Sequence, residues 1–203
     1  MNLSNAHSIL SENDGSLPDI TLEFEAASVV ATAYSLVQSR ARSTDVPLGH
    51  YWSKSKNEDC TIQFGENPAL QFLDGEADPF HVCFSGITSS SGTVLPPIGL
   101  GVLDRSTVPL DLRMGVEWSE DAILGLFELV HDLCSLSLPV SITHTGNDFD
   151  PNGETFLAAY QSWLSETWAT DAASHWLPAT QFRGSVWALT IRSSGPLRRA
   201  TVT

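Results

Sequence analysis

Lysine is scarce in this chain: only Lys54 and Lys56 occur among ten basic residues, against 24 acidic ones, for a formal net charge of −14 over 203 residues. That balance argues against a nucleic-acid partner, since phosphate binding needs a basic patch, and an anionic membrane surface would repel the chain as well. Cysteine is equally sparse. Cys60, Cys83 and Cys134 are odd in number and form no C-x-x-C. They read as free thiols in apolar elements and as a sign of a reducing compartment. Long apolar runs are missing too. The uncharged stretch from Ser85 to Leu103 is broken by Pro96, Pro97 and several glycines and serines, which rules it out as a membrane span. The opening "MNLSNAHSILSENDGSLPD" has neither the basic start nor the continuous apolar core of a signal peptide, so a cytoplasmic location is expected.

Signatures of catalysis are also lacking. The six histidines form no H-x-x-x-H pair, "GITSSSG" is not G-x-S-x-G, and "GLGVLD" is a lone G-x-G with no third glycine. No cofactor is expected. The one stretch suggestive of a metal is "NDFDPNGETF" at 147–156, where Asp148, Asp150 and Asn152 alternate ahead of Gly153 as in a calcium loop. The twelfth position, which should close the shell with a bidentate carboxylate, is Ala159. A turn followed by a helix start explains the same residues, because Asp and Asn side chains bond nearby amides and glycine accepts positive φ. A different shell of His144, Asp148 and Asp150 is the basis of an alternative function, a metal-assisted hydrolase.

What the chain does have is patterned hydrophobicity for one domain of ordinary composition, 42% hydrophobic. The expected organisation is a flexible leader over 1–18, one α+β domain over 19–192 and a flexible tail over 193–203, which carries the kinase-substrate-like "LRRAT". "ITLEFE" reads as a strand and residues 26–42 as a helix with Arg40 and Arg42 at its C-terminal end. "LGHYWSKSK" and "CTIQF" read as short strands around a tight turn at "NED", and "FHVCFSGI" as a strand. "TVLPPIGLGVLD", interrupted by prolines, reads as an edge strand or crossover. In "VPLDLRMGVEW" every second residue from Val108 to Trp118 is apolar, the mark of a strand with one buried face. A helix follows, capped by Ser119 with Glu120 and Asp121 in its first turn. "VSITHT" is another strand, a third helix follows "DPNG", and "GSVWALTIR" is the last strand. This order predicts a largely antiparallel or mixed sheet with about three helices packed on it.

The charge is uneven. No Lys or Arg separates Arg113 from Arg183, a stretch with ten carboxylates, and seven more lie between Lys56 and Arg105. Carboxylates without neighbouring cations face either water or a cationic partner. Large rings beside them suit the aromatic anchors and charged rims of protein interfaces. Local composition therefore nominates Tyr51, Trp52, Asp74, Glu76, Asp78, Asp148, Asp150 and Glu154 for partner binding.

Three stretches, "GHYWSKSK" after the first helix, "FHVCFSG", and "VPLDLRMGVEWSEDAILGLFELVHDL", resemble the α+β immunity proteins of bacterial polymorphic toxin systems over residues 20 to 135. The resemblance implies a cytoplasmic protein without catalysis of its own that binds a cognate toxin and blocks it; the surplus of carboxylates makes the expected partner a basic protein, a toxin or effector. No contact residue is carried over by motif. A third alternative is a structural or assembly subunit whose rings form an oligomer interface; the oligomeric state itself is left open.

Overall fold

The computed structural model describes residues 3–45, 48–137, 139–148, 150–151 and 153–174. Its elements are α1 (Ser4–Ser11), β1 (Asp19–Phe24), α2 (Val29–Arg40), β2 (Ser43–Thr44), β3 (His50–Ser53), β4 (Glu58–Thr61), α3 (Pro68–Leu73), β5 (Phe80–Ser85), β6 (Ile98–Val102), β7 (Thr107–Leu112), α4 (Glu120–Cys134), β8 (Pro139–His144) and α5 (Glu154–Ser174). Six strands form one antiparallel sheet in the order β2-β5-β6-β7-β1-β8, and β3 and β4 form a separate hairpin. The α+β class and the antiparallel sheet agree with the sequence reading. No helix among the described residues is long and apolar enough to cross a membrane.

Period-two alternation gives the sheet its two faces. Ile20, Leu22 and Phe24 from β1, Val82 and Phe84 from β5, and Leu110 and Leu112 from β7 are buried in one core. Against them lie Val30, Tyr34 and Val37 of α2 and Ile123, Leu126, Phe127 and Val130 of α4. Helix α4 begins as the sequence predicts: the Ser119 hydroxyl accepts from the Ala122 amide at 3.2 Å, and Glu120 and Asp121 occupy the first turn. Asn67 caps α3 by accepting from Ala69 N–H at 3.1 Å. Its amide also donates to Ala31 O and Ser35 Oγ, which ties α3 to α2.

Four expectations need correction. Residues 1–18 are not a flexible leader as a whole, because α1 buries Ala6, Ile9 and Leu10, a helical spacing hidden among polar residues. Strand β6 is central rather than an edge strand: Pro96 and Pro97 precede it, and all five residues of "IGLGV" are buried. The alternation from Val108 stops being a strand at Leu112; Val116 is 91% exposed, and Trp118 folds back to donate from Nε1 to Arg113 O at 2.7 Å. The hairpin turn occupies residues 54–57 rather than "NED", with Asn57 at φ 55° and Glu58 already in β4. The strand expected at "GSVWALTIR" and the tail with "LRRAT" lie outside the described residues.

Helix α1 supplies a direct test. Leu10 is fully buried, so Leu10→Ala is expected to destabilise the fold by about 2–5 kcal/mol. Equilibrium urea unfolding measures this, and a loss below about 0.5 kcal/mol, typical of a surface site, would show α1 to be dispensable.

Candidate functional site

The eight nominated residues fall at opposite sides of the sheet. Five lie on or beside the β3–β4 hairpin, which runs beside β5. Three follow β8, the strand at the far edge.

In β3 the alternation separates two neighbouring rings. Tyr51 is 6% exposed and packs on Phe80, with ring centroids 6.0 Å apart, so it belongs to the core and not to a partner surface. Trp52 points outward and is 38% exposed. The loop after α3 is strapped to this strand. Ser53 pairs with Ala77, Lys54 N–H donates to Glu76 O at 2.8 Å, and Asp78 N–H donates to Trp52 O at 3.1 Å. Across the hairpin Trp52 is opposite Asp59. An exposed ring is thereby framed by Asp59, Glu76 and Asp78, with Asp74 at the end of α3. Lys54 Nζ lies 3.2 Å from Asp78, but both side chains are about half exposed, and such pairs contribute little. Residues 48–78 hold six carboxylates and two lysines, a local charge of 2 − 6 = −4.

After β8 the structure shows a turn and a helix cap rather than a metal shell. Asp150 is 6% exposed, and its carboxylate accepts from the Thr155 and Phe156 amides at 3.0 and 3.2 Å, closing the start of α5. It is therefore unavailable to a partner. His144 is buried, accepts from Gly146 N–H through Nδ1 at 2.9 Å and stacks on Phe156. Burial pushes its pKa down to about 4. Gly153, at φ 65°, backs so closely on this ring that a Cβ would lie 2.5 Å from Nδ1. Asp148 and Glu154 are exposed. No group of three His, Cys, Asp or Glu side chains among the described residues is placed to hold a metal ion, which removes the basis for a hydrolase built on His144, Asp148 and Asp150.

A third constellation was not nominated by the sequence. On the sheet face away from the helices, Asp19 of β1 is in register with Asp111 of β7, and Asp111 with Gly99 of β6. The Asp111 carboxylate passes over Gly99 and bonds Nε2 of His81 on β5. A Cβ at Gly99 would collide with both groups. Burial, followed by the neighbouring Asp111 carboxylate, pushes Asp19 up to about 6. The bond to Asp111 raises His81 as well. A hollow of about 300 Å³ lies at the His81 end, lined by Asp45, Leu48, Gly49, Val82, Cys83 and Arg113 as well. Burial and the Asp45 carboxylate push the Cys83 thiol up to about 11, so it is held protonated and is no nucleophile. Alternation puts Asp111 and His81 on the polar faces of their strands; only the register of β1, β6 and β7 brings the row together.

No protein-family model matches the chain, and no curated protein does. Among solved structures, the chain is similar to one from the 1.75 Å crystal structure of the toxic C-terminal tip of CdiA from Pseudomonas aeruginosa in complex with its immune protein. The two are 13% identical, with a TM-score of 0.45, over 65% of this chain and 86% of that one. A likeness that loose carries no weight for function.

The Asp19–Asp111–His81 row has a measurable pH signature. Both Asp19 and His81 hold their protons more tightly folded than unfolded. The stability Asp19 contributes is therefore fully present below its ordinary pKa of 3.8 and lost as pH rises through about 6. That of His81 is lost at higher pH, above 6.5. His144 works in the opposite sense, losing its contribution as pH falls from 6.5 through about 4. Asp19→Asn is expected to be more stable than the parent above pH 6, with the gap closing towards pH 4. Urea unfolding across that range tests this, and a gap independent of pH would show that Asp19 holds its proton no more tightly folded than unfolded.

Proposed function

We propose that the protein is a non-catalytic acidic binding protein that docks a cationic protein partner through the β3–β4 hairpin and the α3–β5 loop, and that the partner is a cognate toxin or effector which it neutralises. One observation carries the reading: the Ser53–Ala77 pairing joins an exposed Trp52 to a loop bearing Asp74, Glu76 and Asp78. A tryptophan anchor with a carboxylate rim is the arrangement in which burial of the ring supplies affinity, while the charges steer encounter and exclude wrong partners. The identification of the partner as a toxin rests on the resemblance of residues 20 to 135 to immunity proteins. Asp148 and Glu154 lie at the far edge of the sheet and are no part of this surface.

The test is binding of the purified protein to the product of the neighbouring gene. Affinity is expected to fall steeply between about 50 and about 300 mM salt, as exposed charges become screened. Trp52→Ala is expected to weaken binding by about tenfold or more through faster dissociation. Replacing Glu76 and Asp78 by Gln and Asn should chiefly slow association. Failure to bind any cationic protein at low salt, or binding indifferent to Trp52, would exclude this surface.

A further inference from the structure

The sheet ends differently at its two sides. On one side β2 is only two residues long, and the hairpin runs beside β5. On the other, β8 is six residues long and, among the described residues, pairs with β1 alone. The Thr145 amide donates to Asp19 O at 3.0 Å, so alternation turns the backbone groups of Thr143 towards β1 and those of Ile142 away from it. An open edge of this kind accepts any extended chain, a hazard that folded proteins suppress by covering it.

The connections of the sheet determine what reaches that edge. Strands β1 and β2 run parallel and are joined by α2; β7 and β8 run parallel and are joined by α4. Both helices contribute to one core on the same face of the sheet. The first crossover steps towards β2, and the second, from an oppositely directed strand, steps towards β8. The two therefore have the same hand, as crossovers between parallel strands of one sheet do. Helix α5 lies on that face as well. It starts beside the end of β8, where Phe156 stacks on His144, and follows α4 in the same direction, with Phe156 against Phe127 and Trp163 against His131. Since α4 runs opposite to β7 and β8, so does α5. Its 21 residues, about 31 Å long, return the chain past the start of β8, which spans about 20 Å. A third crossover of the same hand steps outward from β8, onto the open edge.

We propose that residues 184–192, "GSVWALTIR", pair with the outer edge of β8 as a parallel seventh strand of the sheet. Residues 175–183 link this segment to α5, ample chain to cross the roughly 5 Å between neighbouring strands. Trp187, Leu189 and Ile191 alternate onto one face and continue the buried side of β8 beside Ile142, beneath α5. Charge favours the same docking. All 24 acidic residues precede residue 175 together with six of the ten basic ones, a formal 6 − 24 = −18, whereas residues 175–203 carry Arg183, Arg192, Arg198 and Arg199 and no acid. The cationic end of the chain is drawn to its own acidic body, and its pairing denies the edge of β8 to other chains. This edge is on the opposite side of the sheet from the hairpin, so the strand and the docking function stand or fall separately.

The experiment is NMR of the ¹⁵N,¹³C-labelled full chain. Backbone NOEs in the parallel pattern are expected between residues 140–144 and 184–192, and the Ile142 amide should resist hydrogen exchange as the Leu110 amide of the central β7 does. Leu189→Asp is expected to speed exchange at Ile142 by about tenfold or more while Leu110 stays protected. A mixture of labelled and unlabelled chains shows whether the NOEs arise within one molecule. Absence of NOEs between the two segments, an antiparallel pattern, or NOEs only between different molecules would overturn the proposal, whatever the variant does to stability. Free exchange at Ile142 in the parent chain would overturn it too.

Discussion

The outer face of the sheet depends on what β6 leaves out. With no side chain at Gly99, the Asp111 carboxylate can cross the strand to His81, and with none at Gly101 the Pro109 ring can settle where a Cβ would lie 2.7 Å from its Cγ. Glycine in a strand interior costs backbone entropy and gives up packing. Here that cost is offset by burial of the strand on both faces and by a polar bond linking β5 to β7. The same omission concentrates three titratable groups in one line. A larger residue at position 99 would drive Asp111 and His81 apart and leave each to water.

Acidity in this molecule falls into two populations. Some carboxylates hold the fold together. Asp132 takes Arg40 at 2.7 Å and the Ser90 hydroxyl, Glu128 accepts Ser91 N–H, Glu23 accepts from Ser141, and Asp150 caps α5. Others, such as Asp59, Asp74 and Glu76, lie exposed around the hairpin. Net charge alone does not separate the two. The separation comes from geometry: where a carboxylate has an amide or guanidinium within hydrogen-bond reach, its charge is already used.

Much of this was legible in the sequence, and the failures have physical causes. Alternation in "ITLEFE", "FHVCFS" and "VPLDL" identified β1, β5 and β7, and Ser119 with its two acids marked the start of α4. Helix α1 was missed because three apolar residues in eight are too few to stand out from serine and asparagine. Strand β6 was misplaced because proline and glycine signal an edge in isolation, whereas its neighbours accommodate them. In the site, the period of two already implied that Tyr51 and Trp52 face opposite ways, and composition alone had grouped them. Asp150 illustrates a different limit. The same Asp-Pro-Asn-Gly letters encode a metal loop or a capped turn, and only its bonds to Thr155 and Phe156 decide between them. The Asp19–Asp111–His81 row could not be read at all, since its members lie 92 and 30 positions apart in the chain and meet only through strand register.

The distinction between a docking surface and mere wetting turns on desolvation. An exposed carboxylate in water loses little by staying there, and a surface pair such as Lys54 and Asp78 gains little by forming. A carboxylate beside a partly exposed tryptophan differs, because burial of the ring by a partner removes water from both. The lowered dielectric then strengthens the attraction to a facing cation, while an unpaired carboxylate there would be penalised. The Trp52 surface therefore rewards a partner that supplies cations at the right places and rejects an apolar one that does not.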